Sequence, residues 1–236
     1  MNDDPTAAAG RPEPTKGQAV DHEFDKDYWD RHYDRAEAGS AGGHQLPPNP
    51  YLVHEVGDLT PGTALEAGCG EGAEAIWLGL AGWQVTAVDI AAEPLARAAD
   101  RAAEAGVGEG VRWVQADLSS WDPARTYDLV TTHYAHPAMP QLEFYDRLSS
   151  WVAPGGSLLV VGHLHTGHGG HGAPDDQHPP AEASVTATSI TERLDPGTWD
   201  VVTAGEHPRT LEGTGGGHGI LQDVVVRAVR RGAGLA

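Results

Sequence analysis

From Thr63 to Gly162 the chain alternates between two hydrophobic rhythms. Short runs of consecutive apolar residues mark strands buried on both faces. Between them lie longer stretches whose apolar side chains recur three or four positions apart, the mark of helices with one buried stripe. Thr63–Ala67 reads as a first strand and runs into Gly68-Cys69-Gly70-Glu71-Gly72. The next stretch predicts a helix with Ala73, Ile76, Trp77 and Leu80 on one face, closed at Gly82. Gln84–Val88 is a second strand ending at Asp89. Glu93–Ala105 is a second helix with Leu95, Ala98, Ala99, Ala102 and Ala105 inward, stopped by Gly106. Val111–Ala116 is a third strand ending at Asp117, and Tyr127–Thr132 a fourth, followed by a helix over about Met139–Val152. Pro154-Gly155-Gly156 predicts a turn into a fifth strand, Ser157–Gly162.

Outside this core the rhythm changes. Residues 1–20 have no periodicity and read as a disordered tail. Phe24–Ala38 predicts a helix whose Phe24, Tyr28, Trp29, His32 and Tyr33 form an aromatic face. After a Gly/Pro loop, Tyr51–Leu59 predicts a short helix with Asn49 as N-cap and Pro50 in its first turn. His163–Ala183 is poor in apolar residues and reads as a surface loop. Thr188–Leu194 is a short helix, and Thr198–Thr203 and Leu221–Val229 are two late strands. The expected fold is α/β: a Rossmann-like, doubly wound, mostly parallel sheet with a C-terminal antiparallel edge strand and helices on both faces. Residues 1–20 would be a tail, 21–60 a helical cap and 61–236 the ligand-binding domain.

Composition narrows the function classes. The 236 residues carry 34 acidic against 15 basic side chains, a formal charge of −19. That excludes the basic footprint that nucleic acid or an anionic membrane surface requires. No apolar run is long enough to span a bilayer. The single cysteine, Cys69, rules out an intramolecular disulfide and a cysteine zinc cage. The first residues lack the charged-then-apolar pattern of a secretory signal. Together these predict a cytoplasmic protein, monomer or homodimer, whose partner is a small molecule. Arginine outnumbers lysine 13 to 2, as in proteins of GC-rich bacterial genomes.

The candidate chemistry lies where strands end. A glycine-rich turn between strand and helix lets backbone approach a ligand and presents free N–H groups to it. The spacing Gly68-x-Gly70-x-Gly72 is not the Gly-x-Gly-x-x-Gly of dinucleotide enzymes, which disfavours an oxidoreductase. Asp89 closes the second strand, about twenty residues on, where an acid grips a ribose diol. Asp117 closes the third. Such carboxylates taken singly are ordinary loop residues or caps. Three features at successive strand ends mark one ligand-binding edge.

With these residues in order, the chain resembles class I S-adenosylmethionine (SAM)-dependent methyltransferases. The resemblance rests on Leu65–Gly72, Val88-Asp89-Ile90, Gln115–Leu118, Tyr127–Val130 and Leu148–Leu158. Tyr28–Tyr33 with Pro48-Asn49-Pro50 is similar to the small-molecule branch holding the thiopurine and tellurite-resistance methyltransferases. The resemblance implies SAM as cofactor. Gly68, Cys69 and Gly70 would pass under its methionine part, with Glu66 beside the amino group and His133 bordering it. Asp89 would take the ribose hydroxyls, Ile90 would pack on the adenine, and Asp117 with Leu118 would meet its edge. Trp29 or Tyr33 would close over the site, or else merely dock the front helix. Ala91 lacks the capping hydroxyl often found after the acid. The Asp/Asn-Pro-Pro-Tyr-type motif of amino methyltransferases is absent, and His133-Tyr134-Ala135-His136-Pro137 stands there instead.

Transfer to a hydroxyl or ring nitrogen calls for a base, and histidine suits neutral pH. His136 and His165 are the candidates; otherwise they shape the pocket, and a soft chalcogen nucleophile needs no base. Tyr134, His163 and Arg209 are candidate substrate contacts, Arg209 for an anionic group. The histidines at 163, 165, 168 and 171 suggest metal, but a glycine-rich loop is poorly preorganised, and no metal is expected. The alternative to an enzyme is a catalytically silent SAM-binding protein of the same fold.

Overall fold

The computed structural model describes residues 25–30, 47–164, 185–212 and 218–232, with the backbone alone over 209–212 and 218–221. The expected tail 1–20, most of the front helix with Tyr33, and nearly all of the 163–183 loop lie outside the described residues. A short helical segment, 26–30, opens at Asp25, whose carboxylate accepts the Tyr28 N–H at 2.8 Å.

α1 is Pro50–Val56. The Asn49 side chain accepts the Tyr51 N–H at 2.9 Å, as its type at that position predicts. Then follow β1 (Thr63–Ala67), α2 (Ala73–Leu80), β2 (Gln84–Asp89), α3 (Ala92–Glu104), β3 (Val111–Gln115) and β4 (Tyr127–His133). α4 (Gln141–Ser150), β5 (Val152–Leu164), α5 (Ala187–Thr191), β6 (Trp199–Glu212) and β7 (His218–Arg230) complete the order. The strands form one sheet in the order β3-β2-β1-β4-β5-β7-β6. β1 to β5 pair in parallel, and β7 runs antiparallel to both β5 and β6. The mostly parallel sheet with an antiparallel C-terminal hairpin at its edge is as expected. The reversed strand, β7, lies inside β6.

Alternating strand residues feed two core layers. Leu65, Val130, Leu158, Val160 and Val226 face Phe144 and Leu148 of α4 and Ile190 of α5. Ala87, Leu129, Leu159, Val161 and Val225 face Leu52 and Val56 of α1, Ala75 and Leu78 of α2 and Leu95 of α3. Helices thus cover both faces, which a parallel sheet requires. α1 contributes to the same core as the helices that follow it.

Four local expectations are corrected. The buried side of α2 is Ala75, Ile76 and Leu78, not the Ala73/Ile76/Trp77/Leu80 stripe, and Leu80 is 60% exposed. Pro154-Gly155-Gly156 does not separate a turn from a strand. Residues 152–164 are one strand, with a register shift opposite Tyr127–Leu129 absorbing the glycines. The helix expected at Thr188–Leu194 is Ala187–Thr191, started by a reciprocal capping box between Thr186 and Ser189. β6 and β7 extend well beyond 198–203 and 221–229, because their mutual backbone pairing continues past the apolar positions to Glu212 and His218.

Candidate functional site

Strand order reverses beside β1, which is flanked by β2 on one side and β4 on the other. At such a point the connections leave in opposite directions and open a crevice at the carboxyl ends of the strands. A cavity of about 270 Å³ sits there. Its walls are the turn after β1, the ends of β2 and β4, the segment after β3, and Trp29 and Glu74.

The turn is built by glycine. Gly68 has φ +79°, and a Cβ there would lie 2.3 Å from the Ala135 Cβ, so this backbone admits no side chain. The Gly68 and Cys69 N–H groups donate to the Val88 carbonyl at 2.8 and 3.0 Å, and the Gly70 N–H donates to Asp89 Oδ2 at 2.8 Å. The other Asp89 oxygen takes the Ala91 N–H at 3.0 Å, and the start of α3 has no side-chain cap. Burial pushes the Asp89 carboxyl up, against the pull of these amides. Cys69 is buried, and burial, then the charges of Asp89 and Glu66, push its thiol well up, so it is no nucleophile. Ile90, Asp117 and Leu118 line the cavity, with Asp117 Oδ1 taking the Ser119 N–H at 2.8 Å.

Glu66 is not on the cavity wall. It is fully buried behind His133, with Oε1 2.9 Å from His133 Nδ1. Burial disfavours charge on both groups: it pushes the Glu66 carboxyl well up and takes His133 down to about 4. Which of the two facing atoms carries the hydrogen depends on the tautomer of the ring, and His133 presents Nε2 at the wall. That nitrogen is buried and has no hydrogen-bond partner among the described residues. A polar ligand group fits it.

Glu74, which the sequence reading missed, lines the cavity from the first turn of α2. Its Oε1 takes the Asn49 N–H at 3.0 Å, and its carboxyl is raised, chiefly by burial. The signal available was an acid two positions after the last glycine of the turn.

The opposite side of the cavity is made by the turn after β4. Tyr134 lines the cavity and holds φ +57°, a strained value for a non-glycine residue. His136 also lines it. Its Nδ1 donates to Gln141 Oε1 at 3.2 Å, and Gln141 Nε2 donates to the Ala135 carbonyl at 2.9 Å. Burial lowers the His136 imidazole. Trp29 Nε1 donates to the His136 carbonyl at 3.3 Å, which brings residues 25–30 over the site. His163 stacks on Tyr134, centroids 4.3 Å apart. Arg209 lies in β6 opposite Leu221, one register step beyond the last β5–β7 pair, Leu164 with Gln222; its side chain is outside the description. Tyr33 and His165 also lie outside the described residues. Among the described residues no cluster of three or more metal-ligating side chains occurs, and no helix is long and apolar enough to cross a membrane.

Residues 64–156 match the family model described as a methyltransferase domain. An uncharacterised methyltransferase of Mycobacterium tuberculosis is 38% identical over 99 residues, 41% of this chain and 48% of that protein. Trans-aconitate 2-methyltransferase of Streptomyces avermitilis is 32% identical over 123 residues, 49% of this chain and 45% of that protein. The matched stretches thus span about half the length of these relatives. Among solved structures, magnesium protoporphyrin IX methyltransferase of Synechocystis with bound SAH aligns with TM-score 0.59 at 20% identity, over 87% of this chain and 97% of that one. That likeness is one of fold. By the family match, residues 64–156 are a methyltransferase domain, on a fold like that of this solved structure.

Proposed function

We infer that this protein transfers a methyl group from SAM to a nucleophilic oxygen, nitrogen or chalcogen of a small molecule. The observation that carries the reading is the single cavity wall formed by the Gly68–Gly70 turn, Asp89, Asp117, Glu74 and His133. These groups suit the parts of SAM one by one. The Asp89 oxygens keep lone pairs beyond their two amide bonds for the ribose hydroxyls. Ile90 and Leu118 offer apolar surface to adenine, beside Asp117. His133, in its Nε2–H tautomer, is a donor for the carboxylate of the methionine part. Glu74 meets its ammonium, the role expected of Glu66, while Glu66 fixes the His133 ring from behind. Trp29 closes the site and excludes water.

Bound there, SAM supplies the methyl group on an electrophilic sulfonium. The chain's own task is then alignment and dehydration of the acceptor, which accounts for much of the barrier in a displacement of this kind. The surface charge of −19 disfavours a nucleic acid acceptor and leaves small molecules. Titration calorimetry with SAM and with NADH tests the cofactor, and formation of S-adenosylhomocysteine on a panel of small acceptors tests the transfer. SAM binding with no turnover on any acceptor would replace the enzyme by a SAM-binding scaffold. NADH binding in place of SAM would overturn both.

A further inference from the structure

The glycine turn after β1 has a second anchor outside the cofactor cavity. Gly68, Gly70 and Gly72 all hold positive φ, at +79°, +47° and +79°. Glycine is at ease there, but it also leaves the free chain many other conformations. A turn built from it has to be held by its surroundings. Asp89 holds one end, through the Gly70 N–H. The other end runs into α2, whose N-cap is Gly72, and no side chain caps that helix. Glu71 stands between these two glycines, and α3 holds it.

Arg101, in the last turn of α3, donates from Nη1 to the Glu71 carbonyl at 3.2 Å and to Glu71 Oε2 at 2.8 Å. One guanidinium nitrogen thus takes both the backbone and the side chain of the same turn residue. Arg97, one helical turn earlier, meets Glu71 Oε1 at 3.2 Å. Ala98, between them, packs on Gly72, where an added Cβ would lie 2.8 Å from the Ala98 Cβ. A solvated ion pair alone contributes little, but here the Glu71 and Arg101 side chains are only 24% and 25% exposed and the backbone carbonyl is bound as well. Both residues line a separate cavity, and neither lines the cofactor cavity.

We propose that Arg101 is a positioning residue for the cofactor: it clamps Glu71 by carbonyl and carboxylate, and so fixes the Gly68–Gly72 turn in the form that meets SAM. The inference rests on the methyltransferase reading above. One helix joins the two anchors of the turn. α3 starts beside Asp89, which takes the Ala91 N–H, and ends with Arg101 on Glu71. The turn is therefore ordered before the cofactor arrives, and binding does not have to supply that ordering. Because Arg101 stands off the cavity, it acts on cofactor affinity through the turn. The fixed fork of a guanidinium suits a residue that must hold two oxygens at once; lysine keeps the charge and the reach but not the fork.

The test uses the full chain, with SAM as the probe. Arg101→Met keeps the stem of the side chain and removes its donors. Calorimetry should show about a 10-fold loss of SAM affinity, the scale of one charge-assisted hydrogen bond. Glu71→Ala keeps the bond to its carbonyl and should lose less, about 3-fold. The double variant should lose no more than Arg101→Met alone, because both residues act through one contact. Arg101→Lys should recover most of the affinity. Arg193→Met breaks an ion pair with Asp146 that has no part in the turn, and should bind SAM as the wild type does. Amide exchange gives a readout without cofactor: in Arg101→Met the Gly70 and Gly72 amides should exchange faster, and those of β5 should not. Wild-type SAM affinity in Arg101→Met, an equal loss in Arg193→Met, additive losses in the double variant, no recovery with lysine, or exchange that is unchanged at the turn or faster throughout would each overturn the clamp. A wild type that does not bind SAM, with a turn that still loosens in Arg101→Met, would overturn the methyltransferase reading and with it the cofactor role of Arg101.

Discussion

Both oxygens of Asp89 are already engaged by backbone, from Gly70 at 2.8 Å and from Ala91 at 3.0 Å. One side chain thus ties the glycine turn to the start of α3 and still offers lone pairs to the cavity. Asp89→Ala should weaken SAM affinity by about 1.5–3 kcal/mol, the scale of a hydrogen bond to a charged acceptor, with the fold kept. Calorimetry giving the wild-type Kd would remove Asp89 from the cofactor site. The Glu66–His133 pair makes a different prediction. In the unfolded chain Glu66 loses its proton near 4.5 and His133 keeps one up to about 6.5; in the fold burial raises the Glu66 carboxyl well above its ordinary value and lowers His133 to about 4. The two shifts therefore contribute to the pH dependence of stability with opposite signs. Glu66→Gln removes the compensation. His133, depressed in the fold, then contributes stability that is present above pH 6.5 and lost as pH falls toward about 4. Urea unfolding of Glu66→Gln should show a loss of about 1.4 kcal/mol per pH unit relative to wild type in that window. Parallel curves for the two proteins would mean that Glu66 does not offset His133.

Elements bring these residues together, and they differ in how far the sequence announces them. The β1 turn was legible because only glycine tolerates its backbone: φ is +79° at Gly68, with Ala135 packed where a side chain would go. Gly68→Ala should therefore destabilise the protein by about 1–3 kcal/mol and impair SAM binding more than an alanine at exposed Gly106, which shares the positive φ, +76°, but where a Cβ meets nothing within 4 Å. Equal effects at the two sites, by thermal unfolding and calorimetry, would deny the turn its role. The inward face of α2 was not legible. Ala73–Leu80 is apolar nearly all round, so periodicity cannot select a stripe. Close packing of Val107 and Val111 on Gly79 belongs to the tertiary structure. Glu74 was overlooked for the same reason, since a charge on an apparently outward position reads as solvated. Asp223 precedes Val224, Val225 and Val226 and reads as part of an apolar strand; only the antiparallel register places it on His163. The strand ends bearing Asp89 and Asp117 were visible because each closes an apolar run. The front segment is testable as a unit. Deleting residues 1–20 should leave SAM affinity unchanged, whereas deletion through residue 38 removes Trp29 from the cavity wall and should lower turnover. Full turnover without residues 1–38 would exclude a closing role for that segment.

At the scale of the whole molecule, the sheet divides the labour and the net charge sets the field around it. The β1–β3 half, with α2 and α3, supplies the glycine turn, Asp89, Asp117 and Glu74. The β4 and β5 strands and the turn after β4 supply Tyr134 and His136 on the opposite side, with His163 stacked behind Tyr134. The two halves meet at the reversal beside β1, so on the proposed reading a cofactor held by one side presents its reactive end to the other. Around both lies a formal charge of −19. SAM carries a sulfonium, an ammonium and a carboxylate, and is a net cation; S-adenosylhomocysteine lacks the sulfonium charge and is net neutral. A negative field therefore favours the substrate form of the cofactor over its product form, and by doing so helps release the product after transfer. The preference should be salt-dependent, because the Debye length contracts from about 30 Å at 0.01 M salt to about 3 Å at 1 M. Calorimetric titrations across that range should show SAM affinity falling several-fold while S-adenosylhomocysteine affinity stays nearly constant, so that their ratio drops with added salt. A ratio independent of salt would mean that Glu74 and the other carboxylates at the cavity act only at contact range, and that the acidic surface makes no contribution to cofactor exchange.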